Sequence, residues 1–251
     1  MKKFLSTVLI AVIVVSTTAC SYGASKGSKI QKLKDFIFSK HSVEQTEPKS
    51  ITKESLSFTD YYAVTGEAEF TLDVPEVGKV RYTGLDKLGR PTGVIANLDY
   101  SLVDRERKQK REPITIDPPG FTNNKKVVIT EKDGRRYKGY FYNRSHLLAD
   151  SLGGSATKEN LITGTRTQNV GIKNKGGMAY TEEKARQFFK NPTNATLIYE
   201  VIPQYKDTEI VPRTVVVNIK SSDGTINERV VVDNSATGYT IDYLTGDWRA
   251  I

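Results

Sequence analysis

The sequence predicts an α+β fold built on a mixed or antiparallel sheet with accompanying helices. Short segments rich in β-branched and aromatic residues recur, and Asp133-Gly134 and Asp223-Gly224 between such segments are strong hairpin-turn signals. A helix is predicted from Thr181 as its N-cap, because acidic residues fill the first turn that would follow. Strands are predicted over residues 58–64, 68–72, 80–83, 93–98, 127–130, 137–142, 195–202, 214–219 and 229–232.

Residues 1–20 have the pattern of a secretory signal. Two lysines follow Met1, an apolar run follows them, and small residues precede Cys20. Cys20 has two interpretations: a lipidation site that anchors the mature protein to a membrane, or an incidental cysteine beside ordinary signal cleavage. Because Cys20 is the sole cysteine, an intramolecular disulfide and a cysteine nucleophile in the mature core are excluded.

The remaining chain divides into a linker and one folded domain. Residues 21–55 are polar and charged, which predicts a linker in which His41 is a solvated histidine. The folded domain is predicted over residues 56–251, and the 251-residue chain is long enough to bury a core. Its 37% hydrophobic residues suit such a core but not a membrane protein.

The charge balance favours an anionic partner, such as nucleic acid or an anionic surface. The formal net charge is +8. The basic run over residues 101–112 is interpreted as a solvated loop, with a phosphate-contacting rim as the functional alternative.

Residues 140–171 hold the densest set of chemically useful side chains. His146, one of two histidines in the chain, follows an aromatic run that suits a strand, and Arg144 stands two residues before it. A base, a cation and the amides that follow are the parts of a hydrolytic metal site. Ser145 and His146 do not form a nucleophile–base pair, because adjacent residues of an extended strand point to opposite faces.

Four ordered motifs carry a resemblance to a known family. They are NRSHLLADSLGG, ENLITGTRTQNVG, GMAYTEEKAR and IDYLTGDW. In these motifs the chain resembles the DNA/RNA non-specific endonucleases of the ββα-metal (His-Me finger) group, and especially the secreted streptococcal-type DNases and DNA-entry nucleases. The central motif of that family is usually Asp-Arg-Gly-His, whereas this chain has Asn143-Arg144-Ser145-His146.

The resemblance implies a ββα-metal core and a role for each matching residue. His146 would be the general base, since a neutral histidine suits that role near pH 7. Asn169 would hold Mg²⁺, for which Mn²⁺ can substitute, through a hard amide oxygen. Asn160 would support the site from beside it.

The same resemblance assigns the charged residues. Glu182 would accept hydrogen bonds from the metal-bound waters, with Glu183 as the alternative because helix register is easily misjudged. Arg186, one turn later, would meet phosphate charge. Arg144 would either contact phosphate or brace its loop.

The predicted function is that of a secreted or surface-anchored, Mg²⁺-dependent endonuclease with little sequence preference, which either prefers DNA or cleaves both DNA and RNA. The alternative is a non-catalytic nucleic-acid-binding surface lipoprotein, for example one that serves DNA uptake. A structural or adhesive lipoprotein that has kept the fold is a third class. Divalent-metal-dependent cleavage of plasmid DNA separates the first class from the other two.

Overall fold

The computed structural model describes residues 55–111 and 113–251. The predicted signal, Cys20, His41 and the predicted linker up to residue 54 lie outside the described residues. No helix within the described part of the chain is long and apolar enough to cross a membrane.

A six-stranded antiparallel sheet forms the framework, with the strand order β1-β10-β9-β8-β3-β2. Three two-stranded antiparallel sheets join β4 to β5, β6 to β7 and β11 to β12. The α+β prediction with an antiparallel sheet is therefore confirmed. The strands are β1 Tyr62–Gly66, β2 Lys79–Tyr82, β3 Val94–Leu98, β4 Lys126–Thr130, β5 Arg136–Tyr140, β6 Tyr142–His146, β7 Leu161–Thr165, β8 Leu197–Gln204, β9 Thr214–Ser221, β10 Asn227–Asp233, β11 Tyr239–Ile241 and β12 Trp248–Ala250. The helices are α1 Tyr100–Lys108, α2 Arg166–Val170 and α3 Ala179–Phe188.

The main core lies between one face of the large sheet and the helices α1 and α3. Alternate residues of β3, β8, β9 and β10 are buried there, as the two-residue period of a strand requires. Leu102 and Val103 of α1 and Ala185 of α3 pack against them, together with Phe189 after α3. This packing places both helices on the side of the sheet that carries the candidate site.

The opposite face of the sheet is covered by the segment 68–72, which was predicted to be a strand. That prediction is wrong, because side chains bind the amides that a strand partner would bind. Glu200 accepts hydrogen bonds from the amides of Thr71 and Leu72, each at 2.8 Å. The amide of Glu69 donates to Asn218, whose side chain also donates to Glu200 at 2.8 Å. The buried carboxylate of Glu200 thus accepts the hydrogen bonds that the carbonyl groups of a neighbouring strand would otherwise accept.

The basic run 101–112 was predicted to be a loop, but its residues up to Lys108 belong to helix α1. Asp99 caps the helix by accepting a hydrogen bond from the amide of Leu102 at 2.8 Å. Basic side chains fill the last turn, where the helix dipole favours them. Only two residues of α1, Leu102 and Val103, are buried, and the rest of the helix surface is largely charged. The apolar periodicity that would predict a helix is therefore weak in the sequence.

A ββα unit made of β6, β7 and α2 presents the histidine motif. The predicted strand 137–142 is divided at Phe141, where β5 ends its pairing with β4 and β6 begins a new pairing with β7. In that register His146 lies opposite Leu161. Thr165 caps α2 by accepting from the amide of Gln168 at 2.9 Å. The chain therefore turns directly from β7 into the helix that carries Asn169.

Candidate active site

A cleft of about 450 Å³ opens where β6, α2, α3 and the 3-10 turn Asp150–Leu152 meet. Five of the six predicted site residues line it: Arg144, His146, Asn169, Glu182 and Arg186. Arg111, Asp150, Ser151 and Asn174 line it as well. The ββα unit, helix α3 and the segment after α1 therefore bring together side chains from positions that span more than seventy residues of sequence.

His146 lies at the end of β6 and lines the cleft. Its Nε2 atom is buried and has no hydrogen-bond partner among the described residues. Burial lowers the pKa of His146 below its usual value; the charge of Asp150 opposes this shift and that of Arg111 adds to it. The imidazole is consequently neutral near pH 7, with a ring nitrogen able to accept a proton.

Asn169 is held in place by the residue that precedes the histidine. The Ser145 hydroxyl donates a hydrogen bond to Asn169 Oδ1 at 3.0 Å, and Ser145 is fully buried. The approach of α2 to β6 depends on Gly164, because a Cβ atom there would come within 2.7 Å of Ser145 Cβ. Ser145 occupies the position of the usual family glycine and supplies a hydroxyl that glycine cannot.

The cleft fits a hard cation that keeps most of its own waters. Within residues 55–111 and 113–251, no group of three or more His, Cys, Asp or Glu side chains could hold a metal ion. The Asn169 amide oxygen is one hard ligand of the kind that Mg²⁺ takes from proteins. The carboxylate of Glu182 lines the same cleft and can accept hydrogen bonds from metal-bound water.

Glu182 and Glu183 differ sharply in their surroundings. The Glu182 side chain is 13% exposed and lines the cleft, whereas that of Glu183 is 49% exposed and does not. Burial raises the pKa of Glu182, and the nearby Arg186 opposes that rise.

Helix α3 begins two residues before the predicted N-cap Thr181, whose hydroxyl instead donates to the carbonyl of Met178.

The cleft arginines already contact acidic side chains. Arg186 Nη1 lies 3.5 Å from Glu182 and 3.4 Å from the Ser151 hydroxyl. Arg144 donates to Asp117 at 2.6 Å and lies 4.7 Å from the ring centroid of Phe121. These guanidinium groups are therefore positioned before any phosphate binds.

Arg111 and Asp150 complete the cleft, and the sequence reading did not assign them. Arg111 Nε lies 3.5 Å from Asp150 Oδ2 across the cleft rim. Arg111 comes from the basic run whose functional alternative was a phosphate-contacting rim, and that run was the only signal for it. Asp150 lies within the NRSHLLADSLGG motif, four residues after the histidine.

Asn160 is the predicted site residue that does not line the cleft. Its side chain is fully buried and accepts a hydrogen bond from the Leu148 amide at 2.9 Å. It donates to the carbonyl groups of Leu148 and Ser155 at 2.9 and 2.8 Å. It therefore fixes the loop that follows His146, a position compatible with the predicted supporting role.

The fold is that of a ββα-metal nuclease. The solved structure of the Sda1 nuclease with bound zinc ion matches with a TM-score of 0.71 and 30% identity, over 76% of this chain and 97% of that chain. NucA from Streptococcus agalactiae with magnesium ion bound has the same fold, with a TM-score of 0.56 and 24% identity over 76% of this chain and 90% of that chain. The predicted ββα-metal core is thus confirmed.

Residues 73–223 match the model of the DNA/RNA non-specific endonuclease family, and the chain belongs to that family. A curated relative, a deoxyribonuclease of Streptococcus dysgalactiae subsp. equisimilis, is 45% identical over 149 residues. That alignment covers 59% of this chain and 45% of the relative, so the matched part spans less than half of the relative's length. The predicted family membership is confirmed.

Proposed function

We propose that this protein is a metal-dependent endonuclease that hydrolyses phosphodiester bonds of DNA with little sequence preference. The observation that carries the proposal is the buried, unpartnered Nε2 atom of His146, which lies in the same cleft as Asn169 and Glu182. A neutral base, an amide ligand and arginines around one cleft match the requirements of phosphodiester hydrolysis.

His146 takes the proton of the attacking water in this reaction. As the water oxygen forms its bond to phosphorus, the proton moves to the imidazole, and the ester P–O bond on the opposite side breaks. The electron pair of that bond stays on the leaving oxygen, which takes a proton from solvent water. Arg186 and Arg144 exchange part of their contact with carboxylates for contact with the phosphate, whose negative charge grows as the bond forms. Asn160 keeps the loop after His146 in place.

Asn169 would hold the metal, with Ser145 fixing the direction of its amide oxygen. When bound there, the metal would supply positive charge for the phosphate and the leaving oxygen. Mg²⁺ is proposed because a single amide oxygen suits a hard cation that retains its waters, and Mn²⁺ is expected to substitute. The zinc ion of the Sda1 nuclease makes Zn²⁺ a necessary comparison in any assay.

DNA is the proposed substrate, with RNA as a second one. The relative named deoxyribonuclease supports DNA. The N-terminal signal pattern of residues 1–20 supports action outside the cell or at its surface. If Cys20 is lipidated, the enzyme is anchored to the membrane; if cleavage occurs beside Cys20, the enzyme is released.

The test is cleavage of plasmid DNA and of RNA by the wild type, His146→Ala and His41→Ala. His41 is the matched control, because it is the second of the two histidines and was assigned to the linker. With Mg²⁺ we expect His146→Ala to lose about 10²- to 10⁴-fold in rate and His41→Ala to keep the wild-type rate. EDTA should abolish cleavage by all three proteins.

Two outcomes contradict the proposal. If the wild type binds DNA but cleaves neither substrate with Mg²⁺, Mn²⁺ or Zn²⁺, the non-catalytic binding protein becomes the better account. If His146→Ala cleaves as fast as the wild type, the base has been assigned to the wrong residue.

A further inference from the structure

A second groove, with a volume of about 490 Å³, adjoins the catalytic cleft. Ile114, Arg144 and Asn169 line both, so the groove continues the cleft on the side of the β4–β5 hairpin. Four aromatic side chains form much of its wall: Phe121, Tyr137, Tyr140 and Tyr142. A groove of this size and lining suits a flat, partly polar ligand.

Three of these aromatic rings make contacts that hold them within the folded protein. Tyr142 is buried, and its hydroxyl donates to the carbonyl of Gly246 at 2.8 Å. Tyr137 carries the guanidinium of Arg166 at 4.8 Å from its ring centroid and donates to a backbone carbonyl at 3.1 Å. Phe121 is covered by Arg144 at 4.7 Å. These rings are fixed before any ligand enters.

Tyr140 differs from the other three. Its side chain is 53% exposed at the end of β5, and Lys126 Nζ lies 5.6 Å from its ring centroid. An exposed aromatic ring buries little apolar area and so contributes little to the stability of the fold. This ring lies at the mouth of a groove that leads to the proposed metal ligand. Its ring is available for stacking.

The outer face of the hairpin adds a strip of positive charge. Arg136, Lys138 and Tyr140 alternate along β5 on the exposed face, and Lys126 lies directly opposite Tyr140. None of the three basic residues forms an ion pair with a carboxylate of the described residues, in contrast to the arginines of the cleft. An unneutralised strip that ends at an aromatic groove is complementary to a strand that carries both phosphates and bases.

We propose that this groove and strip hold the single-stranded nucleotides that flank the scissile phosphate, with one base stacked on Tyr140. The inference rests on the proposed nuclease function, which places the scissile phosphate in the catalytic cleft and the flanking nucleotides in the adjoining groove. Phosphates on the far side of that base contact Lys126, Lys138 and Arg136. Every base has a stacking face, so the subsite holds an unpaired strand without reading its sequence.

The experiment measures binding rather than cleavage, which separates this proposal from the catalytic one. A fluorescein-labelled single-stranded oligonucleotide is titrated in EDTA with the wild type, Tyr140→Ala and Tyr140→Phe, and anisotropy is recorded. We expect Tyr140→Ala to weaken binding about fivefold or more and Tyr140→Phe, which keeps the ring, to stay within about twofold. On an oligonucleotide with abasic sites the Tyr140→Ala deficit should vanish.

The charged strip is tested in the same titration at several salt concentrations. Lys138→Gln should reduce the slope of log affinity against log salt by about 1, whereas Lys220→Gln, an exposed lysine on the large sheet, should leave the slope unchanged. The proposal is overturned if Tyr140→Ala binds within twofold of the wild type or loses equally on the abasic oligonucleotide. A Tyr140→Ala deficit in a protein that cleaves nothing would support the subsite and reject the catalytic assignment.

Discussion

Ser145→Ala tests whether a buried hydroxyl group orients the proposed metal ligand. In the wild type this hydroxyl donates to Asn169 Oδ1 at 3.0 Å from a fully buried position. Alanine keeps the Cβ atom and the packing against Gly164, so the substitution removes the hydrogen bond and little else. Asn169 would then be free to rotate its amide group within the cleft.

Ser145→Ala should lower the stability only slightly but the metal affinity strongly, and this difference makes the variant informative. A net hydrogen bond contributes about 1 kcal/mol to stability, and water in the cleft can replace the lost donor at Asn169. The midpoint of thermal unfolding should therefore fall by about 2–4 °C. Loss of a partner that orients a metal ligand costs about 10- to 100-fold in metal affinity, so the half-saturating Mg²⁺ concentration should rise by about tenfold or more.

The assay follows the rate of DNA cleavage across an Mg²⁺ titration for the wild type, Ser145→Ala and Ser101→Ala. Ser101 is the matched control, an exposed serine on α1, and its variant should behave as the wild type does. The rate at saturating Mg²⁺ should change far less than the half-saturating concentration. An unchanged half-saturating concentration in Ser145→Ala, with the expected loss of stability, would show that the hydroxyl only packs the ββα unit.

Three further outcomes follow from other contacts. Asn160→Ala should lower the free energy of unfolding by about 2–4 kcal/mol, measured by urea denaturation, because the buried amide and carbonyl groups of Leu148 lose their partner. Asp150→Asn removes a charge that raises the pKa of His146, so the neutral base should persist to lower pH and the acid limb of the kcat/KM profile should move down in pH. Glu200→Ala should expose the segment 68–72 to limited proteolysis, because its amides lose their acceptor.

Turn chemistry made the hairpins predictable. Asp133-Gly134 and Asp223-Gly224 separate β4 from β5 and β9 from β10 as expected, because local residues determine such turns. The segment 68–72 was mispredicted for a non-local reason, since the buried carboxylate that binds its amides comes from a strand more than a hundred residues later. Sequence periodicity contains no information about such a partner.

The candidate site shows the same division between local and non-local information. His146 and Asn169 were assigned from the family motifs, and both lie in one ββα unit within a short stretch of sequence. Arg111 reaches the cleft from the end of α1, and only the packing of that helix on the sheet determines its contact with Asp150. The choice of Glu182 over Glu183 as the cleft residue likewise needed the orientation of α3.

The distribution of ion pairs indicates how a polyanion would approach this surface. Each arginine of the cleft has a carboxylate partner, so the field of the cleft is weak at a distance. Lys126, Arg136 and Lys138 on the strands of the β4–β5 hairpin have no carboxylate partner among the described residues, and charges of that kind attract a polyanion over about a Debye length, roughly 8 Å at physiological salt. The hairpin would therefore capture the strand, and the cleft arginines would contact phosphate only after exchange with their carboxylates. The cleft pairs are Arg111–Asp150, Arg144–Asp117 and Arg186–Glu182. Neutralising the hairpin lysines should accordingly slow association with DNA in low salt and leave the cleavage rate of bound DNA nearly unchanged. Arg186→Ala should instead slow cleavage of bound DNA and leave association nearly unchanged. Stopped-flow binding measures the first rate and single-turnover cleavage the second, and equal effects of both changes on both rates would contradict this division of roles.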